Sequence, residues 1–161
     1  MDQSDIISRS HTYSFCKEGD LVQVPVLSPN DLIKYAKREL RLTYLDEDLA
    51  KWNFMMDEQG KAFEVRLWKP DCEVVPSVEV YEYFSDGFFG STATFVAWVA
   101  KYNPKGYFAS IPRSEKLFRR DGRLYATSYV HDDTRRKLTL GHDVRRSWRD
   151  HWTFVAFREI R

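Results

Sequence analysis

Thr92-Ala93-Thr94-Phe95-Val96-Ala97-Trp98-Val99-Ala100-Lys101-Tyr102-Asn103-Pro104-Lys105-Gly106-Tyr107-Phe108-Ala109-Ser110-Ile111 is the stretch whose reading decides the fold. Within Asn103-Pro104-Lys105-Gly106 the proline presets a type I turn and the glycine supplies the left-handed residue that follows. The segment therefore predicts a hairpin joining strands at 92–102 and 107–111. Apolar residues on both faces of the first strand, including Phe95, Val96, Trp98 and Val99, predict a central strand covered on both sides. Phe95, Trp98, Val99 and Tyr102 also fit helical spacing; the paired turn and the β-rich sequence around it favour the strand.

Downstream, the pattern predicts a continuing meander. Asp121-Gly122 reads as a hairpin turn, Leu124 to Val130 as a strand, Asp132-Asp133-Thr134 as a turn and Arg136 to Leu140 as a strand. Gly141 to Asp150 reads as one or two helical turns, and Trp152 to Ile160 as a final strand. Upstream, Leu21 to Leu27 reads as a strand that Pro25 demotes to an edge. Ser28 caps a helix with Pro29 at its first position, Asp31 in its first turn and Leu32, Ala36 and Leu40 on one face. A second helix runs from Thr43 to Gly60, with Asp46, Glu47 and Asp48 in its first turn and an apolar stripe of Leu45, Leu49, Trp52 and Met56. The period then changes to 2: Phe63, Val65 and Leu67 alternate with Glu64 and Arg66, and Val74 to Phe84 reads as a longer strand carrying Tyr81 and Tyr83 on one face. The expected fold class is α+β: two N-terminal helices packed on a strongly curved, mainly antiparallel β-meander or open barrel of about seven strands. Residues 1–12 are expected to be a flexible tail and 13–161 a single domain.

The 161 residues suit one core, and 43% hydrophobic with 16% aromatic content is too apolar for a disordered chain. The longest nearly uninterrupted apolar stretch, Phe95 to Ala100, is too short to span a bilayer, and the acidic start leads into no apolar signal core, so a cytoplasmic protein without membrane partners is expected. Cys16 and Cys72 are too few and too far apart for a disulfide framework or a local zinc motif. The net charge of +1 conceals an asymmetry: from Arg113 onward 13 Lys or Arg face 7 Asp or Glu, whereas residues 1–112 hold 12 and 17. A basic C-terminal third marks either a polyanion-binding surface or internal complementarity with the acidic remainder.

Phosphate-binding glycine loops, H-E-x-x-H, G-x-S-x-G and calcium-loop signatures are all absent from the sequence. No metal and no cofactor is expected. Three histidines adjoin aspartates, in His131-Asp132-Asp133, His142-Asp143 and Asp150-His151. A carboxylate can orient a histidine for acid-base work, but neighbours in a strand point to opposite faces, which favours ordinary turn and surface roles. Arginines interleave with aromatics: Arg119, Arg120 and Arg123 flank one turn, Arg135, Arg136 and Lys137 follow the next, and Arg145, Arg146 and Arg149 bracket Trp148. Guanidinium forks suit phosphate oxygens and an exposed Trp148 would offer a stacking platform. The function expected is therefore a non-enzymatic binding protein whose Arg-rich C-terminal meander engages an anionic partner, nucleic acid or an acidic protein surface. The alternative is a small-molecule binder or cofactor-independent enzyme with an aromatic-lined pocket inside the curved sheet. There Tyr81, Tyr83, Trp98, Tyr102, Tyr125 and Tyr129 would line the walls, with His131, His142, Tyr125 and Tyr129 as candidate catalytic groups.

Overall fold

The computed structural model describes residues 19–51, 57–113 and 116–161. It is α+β. The first helix, α1 (Pro29–Leu40), forms as its signals predict: the Ser28 hydroxyl accepts the Asp31 N–H at 3.1 Å, and Arg41 ends the helix in the left-handed region. The other α-helices among the described residues are α2 (Ser77–Tyr83) and α3 (Thr92–Tyr102).

Eight strands make the main sheet: β1 (Leu21–Gln23), β2 (Tyr44–Leu45), β3 (Ala62–Trp68), β5 (Gly106–Ser110), β6 (Phe118–Arg120), β7 (Arg123–His131), β8 (Arg136–Asp143) and β10 (Trp152–Glu159). Their order is β1-β3-β10-β5-β7-β8-β2, with β6 paired to the first part of β7. Most pairings are antiparallel; β10 with β5 and β2 with β8 are parallel. The order ends at β1 on one side and β2 on the other, so the sheet is open and not a barrel. A separate two-stranded ladder joins β4 (Val74–Val75) to β9 (Trp148–Arg149).

Both faces of the sheet are covered. One core lies under α1 and α3 and contains Phe95, Trp98, Phe108, Tyr129, Leu138 and Val155. The other lies under α2 and the β4–β9 ladder and contains Trp68, Val80, Phe84, Phe88, Trp148 and Phe154. The central strands serve both: in β10, Phe154 and Ala156 face the second core, Val155 and Phe157 the first.

Four predicted elements differ from the structure, each for a physical reason. The 92–102 segment is helix α3, with all residues from Thr92 to Ala100 buried. A helix apolar all round has no stripe to distinguish it from a two-faced strand. The left-handed residue expected at Gly106 falls instead at Asn103 (φ 45°), which caps α3 and delivers the chain to β5, so no hairpin turn forms here. The predicted strand from Val74 to Phe84 is β4 followed by α2. Only Ser77, Val80 and Phe84 of the later segment are buried, at helical spacing, while Val78 and Tyr81 are exposed. The helix predicted from Thr43 begins instead with strand β2, because Thr43 bonds to Arg136 through its N–H (2.9 Å) and its hydroxyl, leading Tyr44 and Leu45 onto β8. A 3-10 helix, Glu47–Lys51, follows. The predicted helical turns in 141–150 are the end of β8, a turn and β9. The predicted tail at 1–12 and the stripe positions Trp52 and Met56 lie outside the described residues.

Because Trp98 lies fully inside the first core, against Phe95 (5.9 Å between ring centroids) and Phe108 (5.5 Å), Trp98→Ala is expected to cost about 3–5 kcal/mol of unfolding free energy. Urea denaturation measures this.

Candidate ligand-binding cleft

The arginines expected to form one binding face are distributed over several environments. Arg120 reaches across the molecule to Asp48 (2.8 Å), Asp46 (3.2 Å) and the Leu140 carbonyl (3.0 Å), and its guanidinium lies 4.8 Å from the Tyr125 ring centroid. Arg135 pairs with Asp132 and Arg145 with Asp143; in both pairs this hydrogen bonding holds the aspartate below the usual carboxylate range. Arg136 donates to the Arg41 carbonyl, and the Lys137 ammonium lies over Tyr44. Arg119, Arg123, Arg146 and Arg149 are exposed. Trp148 is 0% exposed and its indole N–H donates to Ser77, so the expected exposed stacking platform is a core residue. Arg146 and Arg149 stand close to it in sequence, but β9 pairs with β4 and the Trp148 side chain lies in the second core.

Of the candidate catalytic groups, Tyr129 and His131 are neighbours, with ring centroids 6.1 Å apart, while His142 lies elsewhere on the sheet. In the β7–β8 register His131 pairs with Arg136 and His142 with Ala126, five residues apart along β7 or roughly 17 Å. His142 stacks on Trp148 at 3.5 Å, and burial lowers its pKa below the usual histidine value. Asp132 and Asp143 serve arginines, not their neighbouring histidines. Tyr129 donates to Asn103 Oδ1 at 2.7 Å, and burial pushes its phenol up to about 12, which suits a neutral structural group. Among the described residues no cluster of His, Cys, Asp and Glu could hold a metal ion. Of the six aromatic residues expected around one pocket, Trp98, Tyr102, Tyr125 and Tyr129 belong to the first core or pack against it, whereas Tyr81 and Tyr83 lie on α2.

A different region is concave. Along one edge of β10, β5 pairs with Trp152–Phe154, and farther on Phe89 takes over with two 2.9 Å hydrogen bonds to Phe157. The backbone of Gly90 then passes so close to Ile111 that a Cβ would lie 2.1 Å from the Ile111 carbonyl oxygen. Only glycine permits this approach. It sets Phe89 beside Arg113, whose guanidinium carbon is 3.8 Å from the ring centroid.

Two hollows meet at this junction. The first, about 450 Å³, is walled by Val80, Phe84, Phe88, Ile111 and Phe154, with Tyr81 at its side donating to the Pro112 carbonyl. The second, about 560 Å³, is a groove between Lys61, Arg113, Lys116 and Arg158, with Glu58 and Ser91 also in its wall. Phe89, Gly90 and Arg113 belong to both. Of the groove's cations, Lys61 pairs with Glu159 (3.6 Å), Lys116 with Asp57 (3.2 Å) and Arg158 with Glu64. Arg113 and Arg161, both exposed, pair with no carboxylate among the described residues.

Glu58 is the groove's buried acid, 8% exposed. The hydroxyls of Thr94 (2.6 Å) and Ser91 both donate to its Oε1, at the first turn of α3. Burial raises its pKa above the usual glutamate value, against the lowering effect of these hydrogen bonds and of Lys116. Sequence reading missed this site because Glu58, Phe89 and Arg113 share no motif; Gly90-Ser91 ahead of an apolar run was the available signal.

Comparison with known proteins finds no matching family model, curated protein or solved structure.

Since the folded state binds the Glu58 proton more tightly than the unfolded chain, stability contributed by this group falls as pH rises through the interval above the usual glutamate value. Glu58→Gln, which keeps an acceptor for both hydroxyls, is expected to raise the melting temperature at pH 7, with the gain shrinking towards pH 4.5. Thermal melts at the two pH values check this.

Proposed function

We propose that this protein is a non-enzymatic binder of an anionic ligand with an apolar body, seated across the Phe89–Gly90 junction. The observation that carries the reading is Arg113, held over the Phe89 ring where an aromatic hollow opens into a basic groove. A guanidinium braced on a ring presents its planar donor fork to a carboxylate, sulfonate or phosphate while the ring face packs against apolar atoms. The hollows have the size and mixed lining of small-molecule sites, apolar walls with few polar anchors. The test is calorimetric titration with 2-naphthalenesulfonate and with its uncharged alcohol analogue. The sulfonate is expected to bind more tightly, and Arg113→Glu to lose at least about tenfold, the size of one charge-assisted hydrogen bond. Equal affinity for the two probes, or an unchanged Arg113→Glu variant with native melting behaviour, would sink the reading.

A second reading retains the expected polyanion partner, nucleic acid or an acidic protein surface. It is favoured by the corner where the β6–β7 turn meets the turn after β8: Tyr125 pairs with Asp143, and the Val144 N–H bonds the Leu124 carbonyl at 2.9 Å. Exposed Arg119, Arg123 and Arg146 flank this contact. Labelled single-stranded RNA should then bind at low salt, weaken steeply as salt is raised, and fail to bind an Arg119/Arg123/Arg146 charge-reversed variant. Salt-independent affinity contradicts it.

A further inference from the structure

We infer that capture of an anion in the basic groove is coupled to uptake of one proton at the Glu58 carboxyl, so the cleft holds anions more tightly at lower pH. This rests on the ligand-binding reading above and specifies how that site is regulated.

The geometry makes Glu58 unusual among the groove's carboxylates. Asp57 and Glu159 each hold a lysine, Lys116 and Lys61. Among the described residues the Glu58 carboxyl has hydroxyl partners alone, both ending on Oε1, from Ser91 and Thr94. Among the described residues the charged groups lining the groove with it are Asp57 beside it in the chain, Lys61 just before β3, Arg113 and Lys116 on the connection after β5, and Arg158, Glu159 and Arg161 at the end of β10 and just beyond it. Helix α3 contributes hydroxyls and no charge. Lys116 favours the ionised form of Glu58 and Asp57 opposes it, while Lys116 is itself committed to Asp57.

An anion entering the groove adds a second negative charge next to a carboxyl already removed from water. Like charges in such a setting are relieved by protonating the weaker acid. A neutral carboxylic acid keeps its acceptor oxygen for Ser91 and Thr94 and presents an O–H, a donor, to the ligand. Repulsion is exchanged for a hydrogen bond, and the proton that enters comes from solvent. The sign follows: the bound state holds more protons than the free state, so affinity falls as pH rises, by at most about tenfold per pH unit for one linked proton.

The experiment uses 2-naphthalenesulfonate, whose sulfonate stays ionised throughout, titrated calorimetrically between pH 5 and 8. Wild-type affinity is expected to decline with pH. At each pH, repeating the titration in buffers of different ionisation enthalpy should reveal net proton uptake. Glu58→Gln should bind with little pH dependence and, at pH 8, more tightly than wild type. An Asp57→Asn variant should retain the slope. Zero proton uptake with sulfonate binding intact, or an equal slope in Glu58→Gln, overturns the coupling and leaves the cleft standing. Failure of the probe to bind wild type and Glu58→Gln at every pH removes the cleft reading and this inference with it.

Discussion

Helix α3 has no solvent face along its first nine residues, and the rest of the structure is arranged around that constraint. Burying apolar area is favourable, but a buried helix start leaves backbone N–H groups and polar side chains that need partners inside the protein. Ser91 accepts the Thr94 N–H, Thr92 and Thr127 share a hydrogen bond at 2.7 Å, and Glu58 accepts from Ser91 and Thr94. The Ser91 N–H is taken by Ser110, whose hydroxyl in turn donates to the Val155 carbonyl. Helix start, β5, β7 and β10 are thereby tied together. The same ties bring a buried acid to the wall of the groove.

The Gly90–Ile111 approach is the complement of this network. It lets the segment before α3 continue the edge of β10 where β5 leaves it, and the cleft opens on either side of that crossing. Concavity here comes from two segments sharing one strand edge, not from curvature of the sheet.

How much of this was legible follows from which signals are local. Ser28 capping, the Asp121-Gly122 turn and the strands near 63–67, 124–130, 136–140 and 152–160 rest on neighbours in sequence, and all are found. Residues 92–102 could not be settled locally, because an all-apolar segment has the same pattern as a helix buried all round and as a central strand. Thr43 has the composition of a cap, but its partner is Arg136, 93 residues away. The charge asymmetry was visible as a number, and much of its meaning is internal: Arg120 serves Asp46 and Asp48, Lys116 serves Asp57, and Arg158 serves Glu64. The cleft depends on a backbone crossing that leaves only a glycine as its trace.

Strand β10 lies between β3 and β5, so the sheet's middle is supplied by residues 152–159. During synthesis, β3 emerges roughly a hundred residues before the strand that will cover its free edge. Until then its apolar positions, Phe63, Val65 and Leu67, and its unpaired backbone groups are open to any extended segment nearby. Helix α1 and the β7–β8 ladder can form early from close neighbours in the chain, whereas the halves they belong to join only when β10 leaves the ribosome. Until β10 has been made, the edge of β3 that it will cover is the place where wrong strand pairing costs this fold most.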